Sequence, residues 1–246
     1  GPMIRLKARG LPETYVTPNH PFEAIAEGGI PTRSEAQQLQ VGVHSLIFPK
    51  PIGSEMYRGD EQHAAYMTLA GYYLSEGSLW GTSPGDFKRV EFHLNTKEQD
   101  FFSEIEACIQ KLYPDAHTTR ILKEGSQGES LRFNKKDLAM RLYQDFGKGC
   151  ADKVLPNWVL FGTQADAKAI LRGLWRGDGS SNSEGFNFAT TSRHLAYGVS
   201  LLLRRFDVVN TIQYHPARTG NDEVAHKESW EVCVRNANYI QQLADL

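Results

Sequence analysis

The chain has 246 residues, 40% of them hydrophobic, which is enough for a well-buried core in one large or two smaller domains. No run approaches the ~18 consecutive apolar residues of a membrane-spanning helix, and Gly1-Pro2-Met3, which reads as a remnant of tag removal, lacks the regions of a signal peptide. A net charge of -2 and a pI near 6.5 argue mildly against a nucleic-acid binder, although 27 Lys and Arg can gather on one face, while three scattered cysteines (Cys108, Cys150, Cys233) argue against a disulfide framework or zinc site and fit a reducing, intracellular setting.

In chain order, the first stretches to stand out are Tyr15-Val-Thr-Pro-Asn-His-Pro-Phe22 and Leu39-Gln-Val-Gly-Val-His-Ser-Leu-Ile-Phe-Pro49. Neither has a counterpart later in the chain. A repeat begins further on: Leu69-Ala-Gly-Tyr-Tyr-Leu-Ser-Glu-Gly77 is matched by Leu171-Arg-Gly-Leu-Trp-Arg-Gly-Asp-Gly179. After the first copy the pattern predicts a hairpin ending in Lys88 to Asn95, a helix over Lys97 to Leu112, strands at His117 to Lys123 and Ser130 to Asn134, and a helix over Lys136 to Phe146 that Gly147 and Gly149 stop. After the second copy come a polar turn, a strand at Phe186 to Thr190, a helix over Arg193 to Phe206, strands at Val208 to His215 and Ser229 to Arg235, and a closing helix from Asn236. The expected class is α+β: a pseudo-twofold pair of αββαββα halves, each carrying an antiparallel sheet. The expected divisions are residues 1–58, 59–150 and 151–246.

Both repeated segments place small residues one turn apart, Gly71 with Ser75 and Gly173 with Gly177, which clears one side of each helix for close approach. Helix-interior glycine costs about 1 kcal/mol against alanine, so a packing or functional reason is implied. If the two helices pack side by side about an approximate twofold, Glu76 and Asp178 become neighbours. An acid in a last helical turn meets unsatisfied carbonyls and the negative end of the macrodipole, at a cost of roughly 0.3–1 kcal/mol. A divalent cation reverses that sign and turns carboxylates and carbonyls into ligands, with Gly77 and Gly179 expected as left-handed caps. Ser-Glu-Gly or Gly-Asp-Gly alone is an ordinary helix stop; the repetition at matched spacing points to a site.

The pair resembles the signature helices of single-chain LAGLIDADG homing endonucleases, especially the Leu-x-Gly-Tyr-Tyr-x-x-Glu-Gly variety of inteins, over roughly residues 60 to 246. The resemblance implies that Glu76 and Asp178 hold catalytic metal, assisted by the carbonyls of Ser75 and Gly177. The segment Asp152-Lys-Val-Leu-Pro156 is similar to the family's Lys-x-x-Pro element and makes Lys153 a third catalytic candidate, near the scissile phosphate. Lys227 is the positional candidate for a second-half equivalent, with Arg235 as another. The implied activity is a metal-dependent double-strand break in a long duplex target, leaving 3′ overhangs, with Mg²⁺ as cofactor, Mn²⁺ able to substitute and Ca²⁺ bound without supporting cleavage. A monomer with internal pseudo-twofold symmetry is expected, and no membrane partner. The alternative is a non-catalytic relative, a regulator or maturase that binds DNA or RNA without cutting.

Twisted antiparallel ribbons fit a major groove about 12 Å wide, so the sheets are the expected DNA-binding surfaces. The candidates are Lys88, His93, Arg120 and Arg132 in the first half and Asn187, Gln213, His215 and Arg235 in the second, with Arg to guanine, Asn or Gln to adenine and Lys to phosphate. Residues before the repeat resemble intein splicing-domain sequence, in which Thr17 and His20 match a Thr-x-x-His box. Flanking nucleophile blocks are missing from the sequence, so Thr17 and His20 read as a splicing relic, either cut from a larger intein or retained by a free-standing endonuclease.

Overall fold

The computed structural model describes residues 1–8, 11, 13–47, 50–53, 59–83, 85–182, 185–219 and 225–235. The chain divides into two compact units, Gly1–Lys50 and Pro51–Leu246. In the first, β1 (Ile4–Leu6) pairs antiparallel with β2 (Thr14–Val16), while β3 (Pro21–Ile25) lies between β4 (Pro31–Glu35) and β5 (Ser45–Leu46). Thr17 and His20 sit in the exposed turn between β2 and β3, where the His20 N–H donates to the Thr17 carbonyl at 3.0 Å.

The second unit begins its first repeat with α1 (Glu61–Glu76), β6 (Gly77–Gly81), β7 (Phe87–Asn95), α2 (Gln99–Leu112), β8 (Thr118–Leu122), β9 (Gly128–Phe133) and α3 (Lys136–Phe146). After a short α4 (Asn157–Leu160) the second repeat follows: α5 (Gln164–Asp178), β10 (Gly179–Asn182), β11 (Gly185–Thr190), α6 (Arg193–Arg205), β12 (Thr211–His215), β13 (Arg218–Thr219), β14 (Ala225–His226) and β15 (Ser229–Val234). The expected closing helix from Asn236 lies outside the described residues. Each repeat builds a four-stranded antiparallel sheet, in the orders β6-β7-β9-β8 and β10-β11-β15-β12. The β13–β14 hairpin is an addition to the expected plan, extending the link between β12 and β15.

Strand alternation explains why one face of each sheet is covered. Val90, Phe92 and Leu94 of β7 with Leu131 and Phe133 of β9 enter the core in the first repeat, as do Phe188, Val232 and Val234 in the second. These residues join helix side chains such as Phe102, Ile105, Leu142, Leu195 and Leu202 in one apolar cluster that spans both repeats. At its centre α1 is buried almost without interruption from Ala65 to Leu74, with Tyr66, Tyr72 and Tyr73 fully enclosed. Their hydroxyls still find partners, Tyr66 on Asp145 at 2.7 Å, Tyr72 on Glu104 and Tyr73 on the Gly147 carbonyl, both at 2.5 Å. Buried tyrosine is tolerable on those terms.

Candidate metal centre and nucleic-acid interface

α1 and α5 meet along the small-residue face that the sequence cleared. A Cβ at Gly173 would stand 2.5 Å from the Tyr72 amide nitrogen and 2.7 Å from the Gly71 Cα, so backbone touches backbone there. One turn later Gly177 packs onto Ser75 and Glu76, and a Cβ on it would lie 2.9 Å from the Glu76 Cγ. Cross-repeat polar contacts pin both ends of the seam. At the helix N-termini, capped by Asp60 and Thr163, His63 Nε2 lies 2.8 Å from Asp166 Oδ1. Toward the C-termini, Arg172 and Arg176 of α5 reach Glu104 of α2 at 2.8 and 2.7 Å.

The seam delivers Glu76 and Asp178 to one place, where each helix passes into its first strand without an intervening loop. The junction glycines are not left-handed: Gly77 has φ -86° and Gly179 φ -74°. The expected caps are corrected on that point. These glycines avoid collision instead, since a Cβ would lie 2.7 Å from the Tyr73 carbonyl oxygen at Gly77 and 2.7 Å from the Trp175 Cδ1 at Gly179.

Burial, then the like charge of Asp178, push the Glu76 carboxyl up to about 7, with Glu98 adding and Lys153 opposing. Asp178, although solvent reaches it at the end of α5, is also raised by desolvation, against the pull of Lys153. Among the described residues, neither carboxylate accepts a hydrogen bond or forms an ion pair with a cationic side chain. Two crowded, unpartnered carboxylates beside helix-end carbonyls fit a hard divalent cation. Among the described residues no group of three or more His, Cys, Asp and Glu side chains gathers as a metal site. The remaining ligands would therefore be carbonyl oxygens such as those of Ser75 and Gly177, water and phosphate. A cleft of about 590 Å³ opens beside Glu76, lined also by Ser78, Trp80, His93 and Lys153.

Lys153 is the only buried lysine among the described residues, at 4% exposure. Its Nζ donates to the carbonyls of Tyr73 at 2.5 Å, Leu74 at 3.1 Å and Gly77 at 2.8 Å, so all three protons hold the end of α1. Desolvation lowers it to about 8, while Asp178 and Glu76 pull the other way. The ammonium expected near the scissile phosphate thus spends its protons on helix-end carbonyls, within the field of both acids and in the wall of the same cleft. Lys227 is exposed in the connection between β14 and β15 and makes no such cap.

Register decides which strand candidates face away from the helices. On the open face of the first sheet lie Ser78, Trp80, Arg89, Glu91, His93, Ser130, Arg132 and Thr119. His93 lies 3.0 Å from both the Ser78 and Ser130 hydroxyls, and Lys88 occupies an irregularity in the β6–β7 pairing, exposed and 3.6 Å from Asp86. Arg120 is a correction: paired opposite Leu131, it points to the helices, ion-pairs with Glu106 at 2.7 Å, donates to Gln99 at 2.7 Å and covers the Phe102 ring. In the second sheet Asn187, Gln213 and His215 share the open face, His215 beside Glu231 at 3.1 Å, and exposed Arg235 follows the end of β15. Sequence reading missed Trp80, Arg89 and Glu91, although the alternation Arg89-Val-Glu-Phe-His93 carries the signal that one face of β7 is polar.

Comparisons with known proteins agree with this architecture. A LAGLIDADG-like domain is matched over residues 166–244. The DNA gyrase A protein of Mycobacterium kansasii is 25% identical over 219 residues, which cover 83% of this chain; the chain spans only 38% of that protein's length. Two solved structures of the homing endonuclease I-DmoI are similar. One, in complex with DNA and Mn, has 16% identity and a TM-score of 0.57 and covers 75% of this chain and 96% of that one. The other, with DNA and Ca, has 14% identity and a TM-score of 0.56 and covers 74% and 88%. Among the described residues no helix is long and apolar enough to cross a membrane. The paired helices and two antiparallel sheets are those of the LAGLIDADG endonuclease fold, in its two-repeat form.

Proposed function

We propose that this protein is a site-specific homing endonuclease that makes a divalent-metal-dependent double-strand break in a long duplex target and leaves 3′ overhangs. The observation that carries the reading is the pair Glu76 and Asp178, unpartnered and mutually repelling at the ends of two touching helices. Structures of I-DmoI with DNA and with Mn or Ca support duplex DNA and a divalent cation as its partners. We assign Mg²⁺ as the cofactor.

Glu76 and Asp178 would hold the cation, with help from the Ser75 and Gly177 carbonyls. When bound, the cation supplies an acidified water and positive charge against the phosphate. The protein's own contribution is positional. Glycine contact along α1 and α5 fixes the acids, Lys153 anchors the α1 terminus by three carbonyls, and the open sheet faces set the DNA register. Residues 1–58 are read as splicing-domain sequence, and a match that lies within DNA gyrase A proteins supports an intein origin.

The test is incubation of the full chain with a library of long duplex targets and Mg²⁺, followed by end mapping. Glu76→Gln and Asp178→Asn are each expected to slow cleavage by on the order of 1000-fold, while binding in Ca²⁺ persists. Sequence-specific binding by the unaltered chain without any cutting would overturn the nuclease and leave a DNA-binding regulator.

A further inference from the structure

The least expected residue on the open face of the first sheet is Glu91. It is 1% exposed, although it lies on the face that no helix covers. A buried carboxylate is costly unless paired, and Glu91 forms two ion pairs through one oxygen, by charge contact without hydrogen-bond alignment: Oε1 lies 3.0 Å from Arg89 Nε and 2.5 Å from Arg132 Nε. His93 Nε2 is 3.8 Å from the other oxygen. The Arg89 guanidinium also stands over the half-exposed Trp80 ring, 5.3 Å from its centroid. Both arginines meet the acid through Nε. Among the described residues, no hydrogen bond engages the Nη nitrogens of either fork.

The fold itself does not require this cluster. The register of the second sheet puts Gly185 where the first has Arg89, Asn187 where it has Glu91, and Cys233 where it has Arg132, and the sheet forms all the same. A buried acid confined to one of two equivalent sheets therefore serves what that sheet meets. Two guanidinium forks anchored to a single oxygen start close together, within about one or two base-pair steps of ~3.4 Å. Mid-sheet placement directs them at base edges, and a planar fork whose Nη groups hold no other hydrogen bond matches guanine O6 and N7.

We propose that Arg89 and Arg132 read guanines on neighbouring base pairs in the half-target bound by the first sheet, with Glu91 the positioning residue that sets both forks. This rests on the DNA-binding reading above. The second half-target would carry no corresponding guanine pair: Asn187 is buried there, and exposed Gln213, suited to adenine, is the candidate reader.

The experiment is selection of a randomised duplex library by the full chain in Ca²⁺, with thermal melting of every variant. The expected motif holds two nearby guanines on one side only. Arg89→Lys and Arg132→Lys keep the charge but lose the fork, so each should relax preference at its own position by about 10- to 100-fold and leave the rest intact. Glu91→Gln should relax both positions together. Should Glu91→Gln unfold, the two lysine variants decide alone. Guanine preference that survives both lysine variants, or a uniform loss of binding with the motif unchanged, makes these phosphate contacts and overturns the proposal. A motif without the guanine pair overturns it too and leaves the endonuclease reading standing; recovery of no motif removes both.

Discussion

α1 and α5 occupy matching places in the two repeats, yet their surroundings differ. α1 is enclosed from Ala65 to Leu74 and its final carbonyls are tied down by Lys153; α5 presents Lys168 and Arg172 to solvent, and Lys153, although it acts on Asp178, caps none of its carbonyls among the described residues. The same contrast runs through the sheets, with an Arg-Glu-Arg cluster on one open face and Gly, Asn and Cys at the matching places on the other. Backbone symmetry is enforced by the seam, because two helices in backbone contact must end side by side. Side chains beyond the seam are released from that constraint and follow the separate needs of each half. Asymmetric chemistry on a symmetric frame suits a target whose two halves differ in sequence.

The seam is where the largest change in stability is expected. Gly173→Ala would drive a methyl to 2.5 Å from the Tyr72 amide, and neither partner is a flexible side chain that can swing away. We expect about 3 kcal/mol or more of destabilisation. Gly128→Ala, whose Cβ meets nothing nearer than the Ser126 hydroxyl at 3.4 Å, should stay within about 0.5 kcal/mol. Chemical denaturation of both variants measures the contrast; equal effects would mean that backbone contact does not hold the repeats together.

Lys153→Met comes next. Methionine keeps much of the stem's volume and leaves the Tyr73, Leu74 and Gly77 carbonyls without their donor, a loss of about 2 kcal/mol. The effect should be lopsided. Hydrogen exchange should quicken over the end of α1 and the start of β6 while the α5–β10 junction is unchanged, and equal quickening at both junctions would make the cap a property of the whole seam.

The repeat, both acids and most elements were legible in the sequence because each is a local or periodic signal. Lys136 to Phe146 emerges as α3 with the expected bounds, since apolar spacing and the following glycine define both its face and its end. Facing was not legible for β8, where Thr118-Thr119-Arg120-Ile121-Leu122 has no clean alternation and the pairing with β9 alone decides that Arg120 turns inward. The role of Lys153 was hidden for a similar reason: a lysine before a loop looks exposed until the chain folds it beneath a helix some eighty residues earlier in sequence. The junction glycines were recognised as special, but for conformation, whereas the constraint is the crowding of Tyr73 and Trp175.

The acids make a smaller, pH-dependent contribution to stability. Folding raises the Glu76 carboxyl from 4.5 to about 7, so the folded protein holds this proton more tightly than the unfolded chain. Stability from this group is complete below about pH 4.5 and is lost as pH rises through about 7, by roughly 1–2 kcal/mol after allowance for its partial exposure. Asp178, also raised, acts in the same direction. Thermal melting in chelator should therefore show a decline across that window that Glu76→Gln flattens. Saturating Mg²⁺ should flatten it as well, because a bound cation favours the ionised carboxylates. A slope unaffected by either would mean that the two carboxyls do not share a site.

Arg120→Ala should have the smallest effect, and it bears most directly on which face of the first sheet is the one proposed to read DNA. The Glu106 pair is partly exposed, so its loss should cost no more than about 1 kcal/mol, including the packing over Phe102. Because the side chain is spent on α2, the base preference recovered from a randomised duplex library should match that of the unaltered protein, in contrast to Arg132 on the neighbouring strand. A changed preference at any base would place β8's inward row in the groove. The partition of this sheet into a helix-packed face and an open face proposed to read DNA would then have to be reversed for that strand.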